Sequence, residues 1–271
     1  MDIVLQDSTF RQLRDFIYGK CGIYVSDAKK YLIEKRLATI LQEKNLSSYE
    51  DYLRVVQTAS NGNELNRLFD AITTNETFFF REDQQFEVLH GVVIPAILKQ
   101  RGGKGIQLWC AACSTGEEPY TIGILLQEKN AGVRAVINAS DISETVLDSA
   151  RKAVYGSYSI RNVPEPYLRR YFRTDGRSYE LDPAIRSAVR FMNVNLIDDR
   201  KVRALRDQDI IFCRNVLIYF DDRAKQKVVS LLYDCLRPGG YLFIGTSESL
   251  HSVTRAFKPT VINKVVVYQR S

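Results

Sequence analysis

Ile106-Gln107-Leu108-Trp109-Cys110-Ala111-Ala112-Cys113-Ser114-Thr115-Gly116-Glu117-Glu118-Pro119-Tyr120 is the stretch that decides the fold. An apolar run breaks into a loop of small residues, and an acidic first turn then opens a helix over 117–128. Strand, small-residue loop and helix in that order are the opening unit of a sheet covered on both faces. The pattern repeats outward, with a strand over 135–139 and a helix from about Ser143. Further strands follow at 189–192, 210–213, 241–244 and 264–268. A helix over 222–236 stops at Arg237-Pro238-Gly239-Gly240. This alternation predicts an α/β chain with a doubly wound parallel sheet. Just before it, Phe86, Leu89, Val93 and Ile97 mark an apolar helix leading through Arg101-Gly102-Gly103.

The first seventy residues have no strand pattern. Phe10, Leu13, Phe16 and Ile17 share one helical face, and Leu32, Ile33, Leu37, Ile40 and Leu41 share another. Ser47 or Ser48 caps a third helix, and an Asn61-Gly62-Asn63 turn precedes a fourth. The reading is a helical domain over 1–72, a linker over 73–84, and an α/β domain over 85–271.

Composition excludes several classes. The 271 residues are 45% hydrophobic and 26% charged, as in a chain that buries a sizeable core. The start lacks a basic and an apolar leader region, and the longest clean apolar run, 92–98, is far shorter than a membrane span. A cytoplasmic protein is expected. Five scattered cysteines suggest no disulfide framework. Cys110 and Cys113 form a C-x-x-C, but no second pair or nearby histidine completes a metal shell, so no metal is expected. With only His90 and His251, a histidine-based hydrolase is a poor fit. The net charge of +6 is uneven: residues 151–271 carry twenty-two basic and twelve acidic groups, with a local peak from Arg151 to Arg177. Such a surface suits an acidic protein, a nucleic acid or an anionic lipid, or is simply solvated.

In a doubly wound sheet the ligand lies beyond the carboxyl ends of the strands. The small residues from Ala111 to Gly116 let backbone approach a ligand closely, but the spacing is not G-x-G-x-x-G. Glu117 and Glu118 favour a cationic group such as an α-ammonium over a pyrophosphate. Dipole complementarity alone accounts for Glu118 better than for Glu117. Asp141 ends the second strand, placed to accept ribose hydroxyls or to cap the next helix. Asn195 offers an amide to an adenine edge, with Leu196 against its face. Arg214 and Asn215 put polar groups at another strand end, and Tyr219 follows at a turn. Between the domains, Asn75, Thr77 and Arg81 interleave with Phe78, Phe79 and Phe80. Three successive aromatics cannot share one helix face, so some are expected to line a cleft.

Taken in order, Asn75-x-Thr77-x-Phe79-Phe80-Arg81-Glu82, Ala112-Cys113-Ser114-Thr115-Gly116-Glu117-Glu118-Pro119-Tyr120, Ser140-Asp141-Ile142, residues 212–220 and Leu236-Arg237-Pro238-Gly239-Gly240 resemble the chemotaxis receptor methyltransferases, the CheR family. The likeness runs through nearly the whole chain. It implies a class I S-adenosylmethionine-dependent methyltransferase sheet with a small helical N-terminal domain and a short antiparallel subdomain over about 155–192. It further implies methyl transfer from S-adenosylmethionine to glutamate side chains of chemoreceptor cytoplasmic helices, leaving S-adenosylhomocysteine. Asn75, Thr77, Arg81, Glu117, Asp141, Asn195, Leu196, Arg214 and Asn215 would hold the cofactor, Glu117 through its ammonium. Arg81 and Tyr219 would lie nearest the transferable methyl.

The same likeness implies recruitment to receptor arrays and docking through a basic face of the helical domain. Here that face is Lys29, Lys30, Lys35, Arg36 and Lys44. Members can bind a receptor's C-terminal pentapeptide along the antiparallel subdomain. With only Gly176 in its hairpin tip, this chain is expected to act without that tether. A monomer is expected, with no nucleic-acid partner and no membrane insertion. A nucleic-acid methyltransferase lacks its Asn-Pro-Pro-Tyr type element here, and a catalytically silent receptor-binding scaffold would have lost the pocket residues.

Overall fold

A computed structural model describes residues 3–59 and 62–271. The turn read at Asn61-Gly62-Asn63 begins at Asn61, which lies outside the described residues. The helical domain holds α1 (Asp7–Cys21), α2 (Lys30–Glu43), α3 (Tyr49–Thr58) and α4 (Asn63–Ile72). Ser48 is the cap of α3, its hydroxyl accepting from the Asp51 amide at 3.1 Å. Leu13, Ile17, Ile33, Leu37, Tyr52 and Leu68 close a separate core.

Next come α5 (Asp83–Val88) and α6 (Ile94–Gln100), joined by a π-helical turn over Leu89–Val93. The α/β domain then runs β1 (Ile106–Ala111), α7 (Glu117–Lys129), β2 (Ala135–Asp141) and α8 (Glu144–Lys152). The inserted segment holds β3 (Val154–Tyr155), α9 (Ser157–Ile160), α10 (Glu165–Tyr171), β4 (Phe172–Thr174) and β5 (Tyr179–Leu181). After α11 (Pro183–Ser187) come β6 (Val189–Asn193), α12 (Asp199–Arg203), β7 (Gln208–Cys213) and α13 (Asp222–Cys235). The chain finishes with β8 (Leu236–Ile244), β9 (Phe257–Ile262) and β10 (Val265–Arg270).

The main sheet has the order β6-β2-β1-β7-β8-β10-β9. Its first five strands are parallel, and β10 turns antiparallel between β8 and β9. Alternate residues of β1 feed opposite layers: Leu108 and Cys110 join one core, Trp109 and Ala111 the other. Both faces are covered, which is why these strands read as continuous apolar runs. The small sheet β3-β5-β4 is antiparallel, and its segment ends before Val189, which belongs to the main sheet. β8 begins at Leu236, five residues earlier than the apolar run, because Leu236 pairs with Gln208 and residues 237–240 bulge out, with Gly239 at φ +79°, before pairing resumes between Ile210 and Tyr241.

β1 lies between β2 and β7, so the chain reverses direction of winding there and opens a crevice at the carboxyl ends of these strands. The helical domain closes over it. Ile23 bridges Phe220, the Tyr24 amide donates to the Tyr219 carbonyl at 3.0 Å, and the Tyr18 hydroxyl reaches Asp221 at 3.0 Å. On the other side Asp70 of α4 accepts from the hydroxyls of Ser143, at 2.5 Å, and Thr145, at 2.6 Å.

Gly22 sits in this contact with φ +75°, where a Cβ would lie 2.9 Å from Ile197 Cγ2. Gly22→Ala should therefore cost about 1–3 kcal/mol in chemical unfolding. Gly19→Ala, inside α1 with nothing within 4 Å of the new methyl, should gain up to about 1 kcal/mol.

Candidate active site

The crevice holds about 1040 Å³ of empty space, part of it open to solvent. Its walls come from the linker (Thr73 to Phe78 and Arg81), the β1 loop (Ala112 to Ser114), Asp141 and Ile142 after β2, and residues 194–196 after β6. The 214–216 and 219–220 segment after β7 and, from the helical domain, Cys21, Ile23 and Ile72 complete them. Nine of the ten residues singled out in the sequence line this one space: Asn75, Thr77, Arg81, Asp141, Asn195, Leu196, Arg214, Asn215 and Tyr219.

Glu117 is the exception. It is buried, accepts from the Thr115 hydroxyl at 2.7 Å, and is absent from the cavity wall, whereas Glu118 is part of it. Neighbouring residues of a helix point roughly 100° apart, so only one of two adjacent carboxylates can face the crevice. The carboxylate available to an ammonium in this geometry is Glu118. Burial raises the pKa of both, and the Arg214 guanidinium pulls that of Glu118 back down.

Asp141 ends β2 in the interior. Its Oδ2 accepts from the Ser114 amide at 2.9 Å and its Oδ1 from the Ser143 amide at 3.0 Å. Each oxygen keeps a lone pair for a further donor, so the group is preset to take two hydroxyls. Burial lifts its pKa above the usual carboxylate value, and the amides of Ser143 and Ser114 partly offset this. Ser143 itself is the helix cap, accepting from the Val146 amide at 3.2 Å. Asn195 lines the cavity, yet its amide donates to the Lys20 carbonyl at 2.6 Å and its Oδ1 accepts from the Ile197 amide at 3.2 Å. It ties the two domains together as well as facing the crevice. Of the three aromatics, Phe78 lines the cavity while Phe79 and Phe80 fill the core behind it.

Arg214 is buried and meets two carboxylates, Glu82 at 3.3 Å and Glu118 at 3.2 Å. It also donates to the Arg81 carbonyl at 2.6 Å, which fixes the linker at the residue before Glu82. The Arg81 side chain turns the other way, over Phe78 at 5.7 Å, and donates to the Glu76 carbonyl at 2.9 Å. Sequence reading assigned no bracing role to three carboxylates that hold this arrangement. Besides Glu118, these are Glu82, which also accepts from the Thr246 amide at 3.1 Å, and Glu248. Glu248 accepts from the amides of Asn215 at 2.8 Å, Gly245 at 2.7 Å and Ile218 at 3.3 Å, pinning the loop that carries Asn215 and Tyr219. Gly245 has no side chain because a Cβ there would lie 2.6 Å from Asn215 Nδ2. Nothing local in Gly245-Thr246-Ser247-Glu248 announces a partner thirty residues away.

Arg36 was expected on a free docking face. It instead donates to the Ile72 carbonyl and, at 2.7 Å, to the Thr74 hydroxyl, bracing the start of the linker. Lys30 pairs with Asp7 at 2.5 Å and Lys44 with Glu64 at 2.7 Å, which leaves Lys29 and Lys35 as the exposed cations of that set. The helical stripe predicted the solvent side correctly but not the carboxylates and carbonyls that other helices bring to it.

Residues 8–73 match the CheR methyltransferase, all-alpha domain, and residues 75–266 match the CheR methyltransferase, SAM binding domain. The chain belongs to the CheR methyltransferase family. It is 38% identical to chemotaxis protein methyltransferase 2 of Vibrio cholerae serotype O1, covering 99% of this chain and 95% of that one. It is 36% identical to chemotaxis protein methyltransferase Cher2 of Pseudomonas putida (96% and 97%), and 32% identical to the chemotaxis protein methyltransferase of Escherichia coli (94% and 89%). It is an S-adenosylmethionine-dependent methyltransferase. The residues on the cavity wall fit that cofactor: a small-residue loop for close approach, a buried carboxylate with two spare lone pairs, and an apolar slot beside Leu196.

For this CheR protein, Glu248→Gln should lower unfolding stability by roughly 1.5–3 kcal/mol, because an amide NH₂ would face backbone donors. Loss of the loop's geometry should appear as a lower kcat. Cofactor affinity should fall on acidification through the raised Asp141 pKa, beginning above the ordinary carboxylate range, since only the ionised form accepts two hydroxyls. In Asp141→Asn that component of the pH dependence should vanish from S-adenosylhomocysteine calorimetry.

Proposed function

We propose that this enzyme methylates glutamate side-chain carboxylates on the cytoplasmic helices of chemoreceptors, producing glutamate methyl esters during chemotactic adaptation. The observation that carries this reading is a cavity wall that, among the described residues, holds Arg81 and Tyr219 but no histidine or lysine. A glutamate acceptor, with an ordinary pKa of about 4.3, is already ionised at neutral pH and needs no base. An amine acceptor would have to surrender a proton, and the carboxylates of the wall are engaged already, Asp141 with amides, Glu118 with Arg214 and Glu76 with the Tyr158 hydroxyl.

Bound S-adenosylmethionine supplies an electrophilic sulfonium methyl, which passes to the acceptor oxygen while the C–S electron pair returns to sulfur to give S-adenosylhomocysteine. Arg81 orients the incoming carboxylate through its guanidinium edge, with Phe78 holding its plane. Tyr219 lies across the entrance and shapes the approach. Asp141 takes the ribose hydroxyls, Leu196 and Asn195 flank the adenine, and Glu118 takes the ammonium. Asn75, Thr77, Arg214 and Asn215 complete the enclosure. Rate enhancement then comes from alignment and exclusion of water rather than from proton transfer. No helix among the described residues is long and apolar enough to cross a membrane. The acceptor helices are brought to the enzyme in the cytoplasm.

Incubation with labelled S-adenosylmethionine and a receptor cytoplasmic fragment should yield base-labile methyl ester on glutamate. Label that resists base, or none, would overturn the reading. Arg81→Ala should reduce ester formation by orders of magnitude with the fold retained. Tyr219→Phe should cost less, in keeping with about 0.5–1.5 kcal/mol for one neutral hydrogen bond.

A further inference from the structure

The basic peak of the sequence, Arg151 to Arg177, runs from α8 through the inserted segment, and three of its seven cations are ion-paired among the described residues. Arg151 pairs with Glu144 and Asp148, Arg169 with Glu165, and Arg170 with Glu128. Arg161, just past α9, forms no ion pair among the described residues and is exposed. Its guanidinium carbon lies 3.5 Å from the ring centre of Phe78 and 3.6 Å from that of Tyr158, and it donates to the Tyr158 carbonyl. Phe78 is part of the cavity wall, so this exposed cation lies on the outer side of that wall, within reach of an acceptor that approaches it. Two rings and a carbonyl hold it in place, so it needs little further ordering to bind an anion.

We propose that Arg161 is a specificity-determining residue that binds a second carboxylate of the acceptor protein, three or four residues from the glutamate being methylated. The proposal rests on the receptor-glutamate reading above. Arg81 and Arg161 share the Phe78 ring, at 5.7 and 3.5 Å from its centre, so the two guanidinium carbons are no further apart than those distances combined. Side chains at i and i+3 or i+4 of a helix have Cβ atoms about 5–6 Å apart, a spacing within that limit, so one carboxylate can meet each arginine. Glu76 lies beside them, its Oε1 accepting from the Tyr158 hydroxyl at 2.6 Å. With two cations beside one carboxylate, the rim favours an anionic partner. A helix presenting a lone glutamate would engage Arg81 only.

The test uses the full chain and a purified chemoreceptor cytoplasmic fragment, with ester formation followed at several fragment concentrations. Arg161→Gln should raise the fragment KM three- to tenfold, leave kcat within twofold, and leave S-adenosylhomocysteine affinity by calorimetry unchanged. Arg161→Lys, which keeps the charge, should recover part of the KM. Replacing the fragment's acidic residue three or four positions from the methylated glutamate by Gln should raise the wild-type KM similarly and erase the difference between wild type and Arg161→Gln. A KM within twofold of wild type overturns the proposal while leaving receptor methylation standing. So does a change in cofactor affinity in place of KM, which would make Arg161 only a brace for Phe78. No ester from the wild type itself would defeat the receptor-glutamate reading and this proposal together.

Discussion

The Arg214 guanidinium, 6% exposed at the end of β7, is the interaction on which the site is built. A cation this deep is tolerated only if its partners replace the water it loses. Here Glu82 and Glu118 supply opposite charge and the Arg81 carbonyl accepts a further hydrogen bond. Those partners belong to two different places: the linker, which holds Arg81 and Glu82, and the first turn of α7. One buried charge therefore joins the central strand to the linker that closes the cavity. It also places the Arg81 main chain so that the side chain turns toward Phe78 and the entrance. The Arg214 Nε finds no protein acceptor among the described residues, an orphaned donor on the wall of the cofactor cavity.

Backbone strain is concentrated in the same ring of residues. Phe80, Glu82, Ala112, Ser114 and Asn215 all have positive φ, although none is glycine. Each such residue costs of order 1–3 kcal/mol unless its surroundings hold it. The holding groups are visible: the Thr121 hydroxyl accepts from the Phe80 amide, Asp141 from that of Ser114, and Glu248 from that of Asn215. Carboxylates in this enzyme thus act largely on main-chain amides, fixing loops that point uncharged surface and two arginines at the ligand.

Much of the architecture was legible in the chain because the physics behind it is local. Strands covered on both faces need apolar residues at every position, and the runs at 106–110 and 210–213 show it. Ser48 and Ser143 announce helix starts because a hydroxyl caps the amides that follow it in sequence. A small-residue loop after one strand and an aspartate after the next are enough to point to a nucleoside site, since parallel neighbours bring their carboxyl ends together.

What the tertiary structure decided is how groups distant in sequence divide the work. Glu117 and Glu118 are chemically the same, and only the packing of α7 turns one toward the cavity and leaves the other beside Thr115. Arg36 reads as a solvated cation on its own helix, but the end of α4 brings it the Ile72 carbonyl and the Thr74 hydroxyl. Asn195 and Lys20 are 175 residues apart and share a hydrogen bond across the domain contact. Glu248 takes amides from a loop thirty residues away. Side-chain type and periodicity carry the first kind of information, because helix and strand geometry repeat over a few residues. The second kind depends on which surfaces meet after the sheet has closed, and pairing across such distances leaves no periodic trace in a single chain.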